Sequence, residues 1–276
     1  MFFNKELKFS CAAVTNVGKV RKNNEDNFYF DGVTVSEEAI NSMTDESIIH
    51  SSENGAKGGL YCVCDGMGGE SYGEVASQIA VSTLCEFGEK FAQADKGKLK
   101  DIVTQYAELA NERICEKITE FGVNRIGTTY ALLSFIGSTA YISNIGDSRV
   151  YHIRSGNIKQ LTRDHTEIAY YIAAGIITAE EAKNHPRRHG LTQHLGMFPD
   201  DMKISPYFAQ VVEAKAKDIF ILCSDGLTDM LDDEKICQIA VSASKKGAET
   251  VVKNLSQEAL AAGGRDNVTI IAVCVK

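Results

Sequence analysis

The sequence predicts an α+β fold of packed layers, and three observations carry that expectation. Segments rich in β-branched and aromatic residues come in consecutive groups instead of alternating strictly with helices. Amphipathic helical periodicity is concentrated in a few long stretches. No strong linker or internal repeat divides the 276 residues, so a single domain over 1–276 is expected.

The elements follow in chain order. Strand-like runs cover 9–14, 27–30 and 59–64. Between the last two, the polar stretch 36–59 reads as a long insertion loop. A helix over 75–91 places Val75, Ile79, Thr83, Leu84, Phe87 and Phe91 on one face, with Ser71 and Glu74 spaced as a capping box. A second helix spans 99–121. Strands at 128–135, 139–144 and 149–154 come next, and "RSGN" at 154–157 turns the last of them into a hairpin with "IKQL". Helical segments at 166–174 and 178–184 follow, the second with a Thr178–Glu181 capping box. Strands at 208–212, 218–223 and 267–275 and helices at 234–242 and 248–261 complete the chain.

Composition narrows the function. The chain is 44% apolar and 24% charged, with a net charge of -8. That balance argues against a nucleic-acid surface or an anionic membrane as partner. "MFFNKELKFS" lacks the apolar core of a signal peptide, and the longest apolar runs, such as "TIIAVCV", fall short of a membrane span. A soluble, cytoplasmic protein is expected. The eight cysteines include no C-x-x-C pair and read as small buried hydrophobes. None is followed by arginine six positions on, which excludes a cysteine-nucleophile phosphate loop. The G-x-x-x-x-G-K-[ST] and G-x-S-x-G motifs of nucleotide-binding and serine-hydrolase sites are also missing.

What stands out is a set of acids at strand ends. Asp65 follows a strand in "YCVCDGMGG", Asp147 in "YISNIGDSR" and Asp225 in "FILCSDGL". Asp266 in "GGRDNVT" directly precedes the last strand, and "VRKNNEDNF" sets Arg21, Glu25 and Asp26 before an early one. Each alone is accounted for by a turn or a helix cap. Together they lie where a rigid scaffold presents functional groups. If they converge, two charges ~4 Å apart repel by about 4 kcal/mol at an effective dielectric near 20, and cations become necessary. The ligands would all be oxygen, which selects Mg²⁺ or Mn²⁺ over zinc or copper. Spacing alone does not establish that they meet.

With those residues in view, the chain resembles the metal-dependent protein phosphatase 2C family, its bacterial members most of all. The matching segments run in family order over nearly the whole length: "VRKNNED", "CDGMGG", "GTTYAL", "NIGDSRVY", "LTRDHT", "LTQHLG", "CSDGLTD" and "GGRDNVT". The resemblance implies a four-layer α/β/β/α sandwich of two antiparallel sheets flanked by helix pairs. It implies two Mn²⁺ or Mg²⁺ ions, with Asp65 bridging them, the Gly66 carbonyl and Glu25 on the second, and Asp225 and Asp266 completing the first. Asp26 fits an outer acid, Asp147 with Asp225 a third, weaker metal site, and Arg21 the arginine that binds the substrate phosphate.

The implied reaction is hydrolysis of phosphoserine and phosphothreonine in proteins by attack of a metal-bridging water, with catalysis assigned to Arg21, Asp65 and Asp225. A monomer is expected, with phosphorylated proteins and a cognate serine/threonine kinase as partners. A phosphomonoesterase of small molecules, or an inactive regulatory relative, are the alternatives. One departure stands out. Met67 occupies the loop position where many eukaryotic relatives carry a histidine, and methionine donates no proton. A metal-bound water, His165 or His189 are the candidate substitutes, and for each histidine a structural or surface role is the stronger reading. The segment 166–190, including "NHPRRHG", matches the flap beside the active site of bacterial members.

Overall fold

Two antiparallel sheets face each other in the computed structural model, which describes residues 7–43, 48–53, 59–68, 72–183 and 185–276. The elements, in order, are β1 (Phe9–Asn16), β2 (Asp26–Phe30), β3 (Val33–Thr34), α1 (Glu37–Asn41), β4 (Ile48–Glu53) and β5 (Leu60–Met67). Two long helices follow, α2 (Gly73–Ala92) and α3 (Leu99–Phe121). Next come β6 (Gly127–Thr128), β7 (Tyr130–Ile136), β8 (Thr139–Ile145), β9 (Arg149–Arg154) and β10 (Asn157–Gln160). The short α4 (Glu167–Ala173) and α5 (Ala179–Lys183) precede β11 (Tyr207–Phe208), β12 (Val212–Glu213) and β13 (Ile219–Cys223). The chain closes with α6 (Asp225–Thr228), α7 (Asp233–Ala243), α8 (Ala248–Ala261) and β14 (Val268–Val275).

One sheet has the order β10-β9-β13-β14-β1-β4 and the other β11-β8-β7-β5-β2-β3, with β12 on β8 and β6 on β5. Their central strands are apolar on both faces because both faces are covered. In β5, Tyr61 and Val63 meet Ala13, Phe220, Leu222 and Ile271 of the opposite sheet. Cys62 and Cys64, one pleat away, meet Leu84 of α2 and Tyr106 and Ile114 of α3. On the far side, Ile221 and Ile270 pack against Ile236 of α7 and Val251 and Leu255 of α8. The layers are therefore helix pair, sheet, sheet, helix pair, as the family resemblance implies. Seven of the eight cysteines are buried, consistent with their use as apolar filler.

Most expected elements are present. The boundaries of α3 and α8 coincide with the expected ones, and Gly122 ends α3 at φ +65°, the left-handed cap that glycine adopts freely. The "RSGN" hairpin joins β9 to β10, with positive φ at Ser155 and Gly156 as a type I′ turn requires. Thr178 and Glu181 form the expected reciprocal cap, at 2.8 and 3.2 Å.

Two expectations need correction. The stretch 36–59 is not simply a loop: α1 buries Ile40, and β4 adds an edge strand to β1, pairing Thr15 with Ile48 and Ser10 with Glu53. An edge strand is held by backbone hydrogen bonds on one side only, so it can stay polar and escape a hydrophobic pattern. The run 208–212 is two short strands, β11 and β12, each paired separately to β8. The Ser71 half of the Ser71–Glu74 cap lies outside the described residues, and Tyr72 stands at the N-cap of α2. Among the described residues, no helix is long and apolar enough to cross a membrane.

Candidate metal centre

The first half of the site belongs to the sheet beside α2 and α3. Asp26 and Asp65 are direct cross-strand partners on β2 and β5, so their side chains leave the sheet on the same face. Burial pushes the Asp26 carboxyl up to about 7, against the hydroxyls of Ser224 and Thr269, and the charges of Asp266 and Asp225 add to the rise. Ser224 Oγ donates to Asp26 at 2.7 Å. Asp65 is raised well above the ordinary carboxylate range, first by burial and then by the charges of Asp26, Asp225, Asp147 and Asp266.

The main chain at Asp65 is clamped. Its N–H donates to Thr129 Oγ1 at 3.1 Å, and its carbonyl accepts from Thr129 N–H and Thr128 Oγ1, both at 2.9 Å. Gly66 follows in a space with no room for a side chain: a Cβ there would lie 2.2 Å from the Gly73 carbonyl oxygen and 2.4 Å from that of Glu25. Its N–H donates to the Glu25 carbonyl at 3.1 Å.

The second half comes from the other sheet. Asp225 opens α6 directly after β13, and Asp266 precedes β14, the neighbour of β13. Arg21 lies beside Asp266, its Nη2 2.7 Å from the carboxylate, and half of its side chain is exposed. Asn267 fixes the loop that carries Arg21 and Glu25. Its Oδ1 accepts from Glu25 N–H at 2.8 Å, and its Nδ2 donates to the carbonyls of Val17 at 2.8 Å and Asn23 at 2.9 Å. Glu25 is raised by burial and then by the charge of Glu74.

Asp147 sits on the turn between β8 and β9. Burial raises it to about 8, and the charges of Asp225 and Asp164 add to that. Ser148 Oγ, next to it, lies 2.6 Å from Thr129 Oγ1, which joins this turn to the clamp on Asp65. Among the described residues of 166–190, α4 and α5 form a helical hairpin, closed by a bridge between Thr166 and Leu191. It brings His189 to the cluster, with Nδ1 3.3 Å from Asp225 and Nε2 3.4 Å from Asp229. His165 instead accepts the Gly146 N–H at 3.1 Å and buttresses the Asp147 turn.

The expected acids therefore gather at one end of the two sheets, near enough for the charges of Asp26, Asp147, Asp225 and Asp266 all to act on Asp65. Glu25 lies beside Arg21 and Glu74. Met67 is half-buried opposite Gly127 on β6. Among the described residues, His189, Asp225 and Asp229 bring potential ligand atoms within 4.8 Å of one another, and no trio drawn from the expected acids alone does so. Sequence reasoning missed Asp229, although it stands one helical turn beyond Asp225. It also missed the supporting roles of Asn267, Ser224, Thr128 and Thr129, which polar residues beside strand ends can signal but not specify.

The donor set fits hard divalent cations. It consists mainly of carboxylates, with His189 beside Asp225 and Asp229, and a set dominated by oxygen suits oxygen-preferring ions. Such ions also answer the electrostatics: at Asp26, Asp65 and Asp147 desolvation and neighbouring like charge favour the protonated form, and bound cations would favour the charged one.

The family profile described as Protein phosphatase 2C matches residues 45–263. The serine/threonine protein phosphatase PstP of Mycobacterium tuberculosis is 31% identical over 275 residues, covering 98% of this chain. This chain spans only 45% of that relative's length. Protein phosphatase PhpP of Streptococcus pneumoniae is 32% identical over 214 residues, covering 78% of this chain and 85% of the relative. A solved structure of the PstP catalytic domain in complex with two manganese ions superimposes with a TM-score of 0.75 at 30% identity, covering 98% of this chain and 99% of that one. By the extent of these matches, and with the motifs set around one cluster of acids, the chain belongs to the protein phosphatase 2C family.

Proposed function

We propose that the protein is a Mn²⁺- or Mg²⁺-dependent serine/threonine phosphoprotein phosphatase. The observation that carries this reading is the convergence of Asp26, Asp65, Asp147, Asp225 and Asp266 at one end of the two sheets. The names of the relatives and the manganese ions in the PstP structure support it.

In this reading Asp65, Glu25, Asp225, Asp266 and the Gly66 carbonyl would hold two divalent cations, with Asp65 shared between them, Asp147 with Asp225 would hold a third more weakly, and Asp26 would support the others from behind. Divalent cations, when bound, would neutralise these carboxylates, draw charge from the phosphoryl oxygens and acidify a water for attack on phosphorus. Arg21, half-exposed at the rim, can release Asp266 and take two phosphoryl oxygens through its planar fork. Thr128 and Thr129 hold Asp65 still, and Asn267 holds the Arg21–Glu25 loop, so the site is organised before substrate arrives.

Met67 has no proton to give to the leaving alkoxide. Of the two candidate histidines, His189 is the one at the cluster, whereas the Nδ1 of His165 is committed to Gly146. Residues 1–276 would act as one catalytic unit, with 166–190 as a substrate-facing flap. By family resemblance it would work as a cytoplasmic monomer in phosphorylation signalling, opposing a serine/threonine kinase.

The test is hydrolysis of p-nitrophenyl phosphate and of a phosphothreonine peptide, with Mn²⁺ and with chelator, in wild type and in Asp225→Asn. Activity should require metal and fall by at least about a hundredfold in the variant, in line with loss of a group that stabilises charge in the transition state. Hydrolysis that ignores chelator, or survives the substitution, would sink the proposal.

A further inference from the structure

A second candidate site lies outside the acid cluster, between α3 and the chain segment that follows the flap. It is a groove of about 570 Å³, within the size range of ligand sites. Its floor and far wall include Met197, Phe198 and Met202, the last 45% exposed. Its near wall carries Glu108, Glu112 and Glu116 on exposed positions of one helix. Those three stand at i, i+4 and i+8, so they form a single stripe of like charge. That spacing weakens an isolated helix, so helix stability does not account for it.

The groove is built in advance. Asn111, buried on α3, accepts the N–H groups of Gly196 and Met197 at 2.8 and 3.0 Å and donates to the Met197 carbonyl at 2.9 Å. The far wall is thus hung on the same helix that bears the acids. It is also tied to the candidate centre: Leu195 exchanges backbone hydrogen bonds with Thr128 at 2.8 and 3.1 Å, and Thr128 Oγ1 holds the Asp65 carbonyl.

We infer that this groove is a docking site for a basic peptide segment that carries apolar anchor side chains. Charge complementarity selects the occupant: three carboxylates line the groove against one base, Lys203. The apolar floor selects the anchors, and its methionines can repack around leucine or phenylalanine. The site rests on the phosphatase reading in one respect, namely that the segment belongs to a phosphoprotein substrate and lies outside its phosphorylated residue.

The test uses the full chain and a fluorescein-labelled peptide, free of phosphate, in which leucine and phenylalanine are set among lysines. Fluorescence anisotropy should report binding that weakens at least about tenfold in Glu112→Lys/Glu116→Lys and in Met202→Asp. A control with two exposed acids reversed elsewhere, Glu89→Lys/Glu234→Lys, should bind as wild type does. Equal weakening in the control, or no binding to wild type, overturns the docking site. Hydrolysis of p-nitrophenyl phosphate, measured on each variant, should stay at the wild-type level and shows that each is folded. Hydrolysis without groove-dependent binding defeats the docking inference alone. Groove-dependent binding by a protein that hydrolyses nothing defeats only the assignment of the peptide to a substrate.

Discussion

Replacing Asn267 with alanine removes three hydrogen bonds and leaves three backbone groups of the 17–25 loop without their partner. The bonds are 2.8 Å from Glu25 N–H and 2.8 and 2.9 Å to the carbonyls of Val17 and Asn23. Their costs differ. Asn23 is exposed, so water can take over its carbonyl. Val17 is buried at 5% exposure and Glu25 is half-buried, so their groups lose partners that water replaces poorly. At about 1–3 kcal/mol for each of these two orphaned groups, the loss should be about 2–6 kcal/mol. That is a large part of a typical stability of about 5–15 kcal/mol.

The same loop carries Arg21 and Glu25, so the damage should also reach function. Urea unfolding gives the stability change, and steady-state hydrolysis of p-nitrophenyl phosphate against Mn²⁺ concentration gives the rest. The expected result is a lower unfolding midpoint, a higher KM and a higher Mn²⁺ requirement. A stability loss below about 1 kcal/mol with unchanged KM would refute the claim that Asn267 organises the loop.

Other perturbations probe the same arrangement. Gly66→Ala places a methyl 2.2 and 2.4 Å from two backbone oxygens that cannot move aside; both the melting temperature and calorimetric Mn²⁺ affinity should drop, and wild-type values would refute the crowding argument. Arg21→Ala should raise KM for p-nitrophenyl phosphate more than it lowers kcat, and an unchanged KM would mean that Arg21 does not bind the phosphate. Asp218 tests pH dependence away from the acids. Burial pushes its carboxyl up, but the Arg154 side chain, at 2.7 Å through Nε, and the Lys215 N–H more than offset that and hold it below the ordinary value. A depressed folded pKa contributes stability that is present above the unfolded value and lost as pH falls through the folded one. The stability gap between wild type and Asp218→Asn should therefore shrink below about pH 4, and a gap that persists in acid would contradict the pairing.

Local signals were legible and long-range ones were not. The α3 and α8 boundaries and the Ser155–Gly156 turn follow from periodicity, end residues and turn chemistry within a few positions. The edge strand β4 did not, because its place is decided by the open side of β1 and not by its own pattern. The short helix at Asp225 was likewise hidden: four residues are too few for periodicity to register. For the site, each acid was visible as a residue at a strand end, and the family motifs named them in order. Their meeting was not visible, since Asp26 and Asp65 become neighbours only through β2–β5 pairing, and Asp266 joins them only when the sheets stack.

That stacking explains why the acids can be held together at all. Asp65 leaves a strand at the middle of one sheet, while Asp225 and Asp266 flank the paired central strands β13 and β14 of the other. The distance between the two halves is therefore set by the layer between the sheets, where Phe28, Val63 and Leu133 face Phe220, Leu222 and Ile271. Interiors of that kind are close-packed and resist deformation. Repulsion among like charges would push the strand ends apart in a pliable frame, and here it works against a stiff one. Proton uptake at Asp26 and Asp147 relieves part of that repulsion, and in the proposed reading cations would relieve the rest on binding. In the proposed reading, an apolar core with no chemistry of its own would thus hold the acids close enough to bind cations, and large-to-small changes at Leu222 or Val63 would belong with the functional residues as much as with the structural ones.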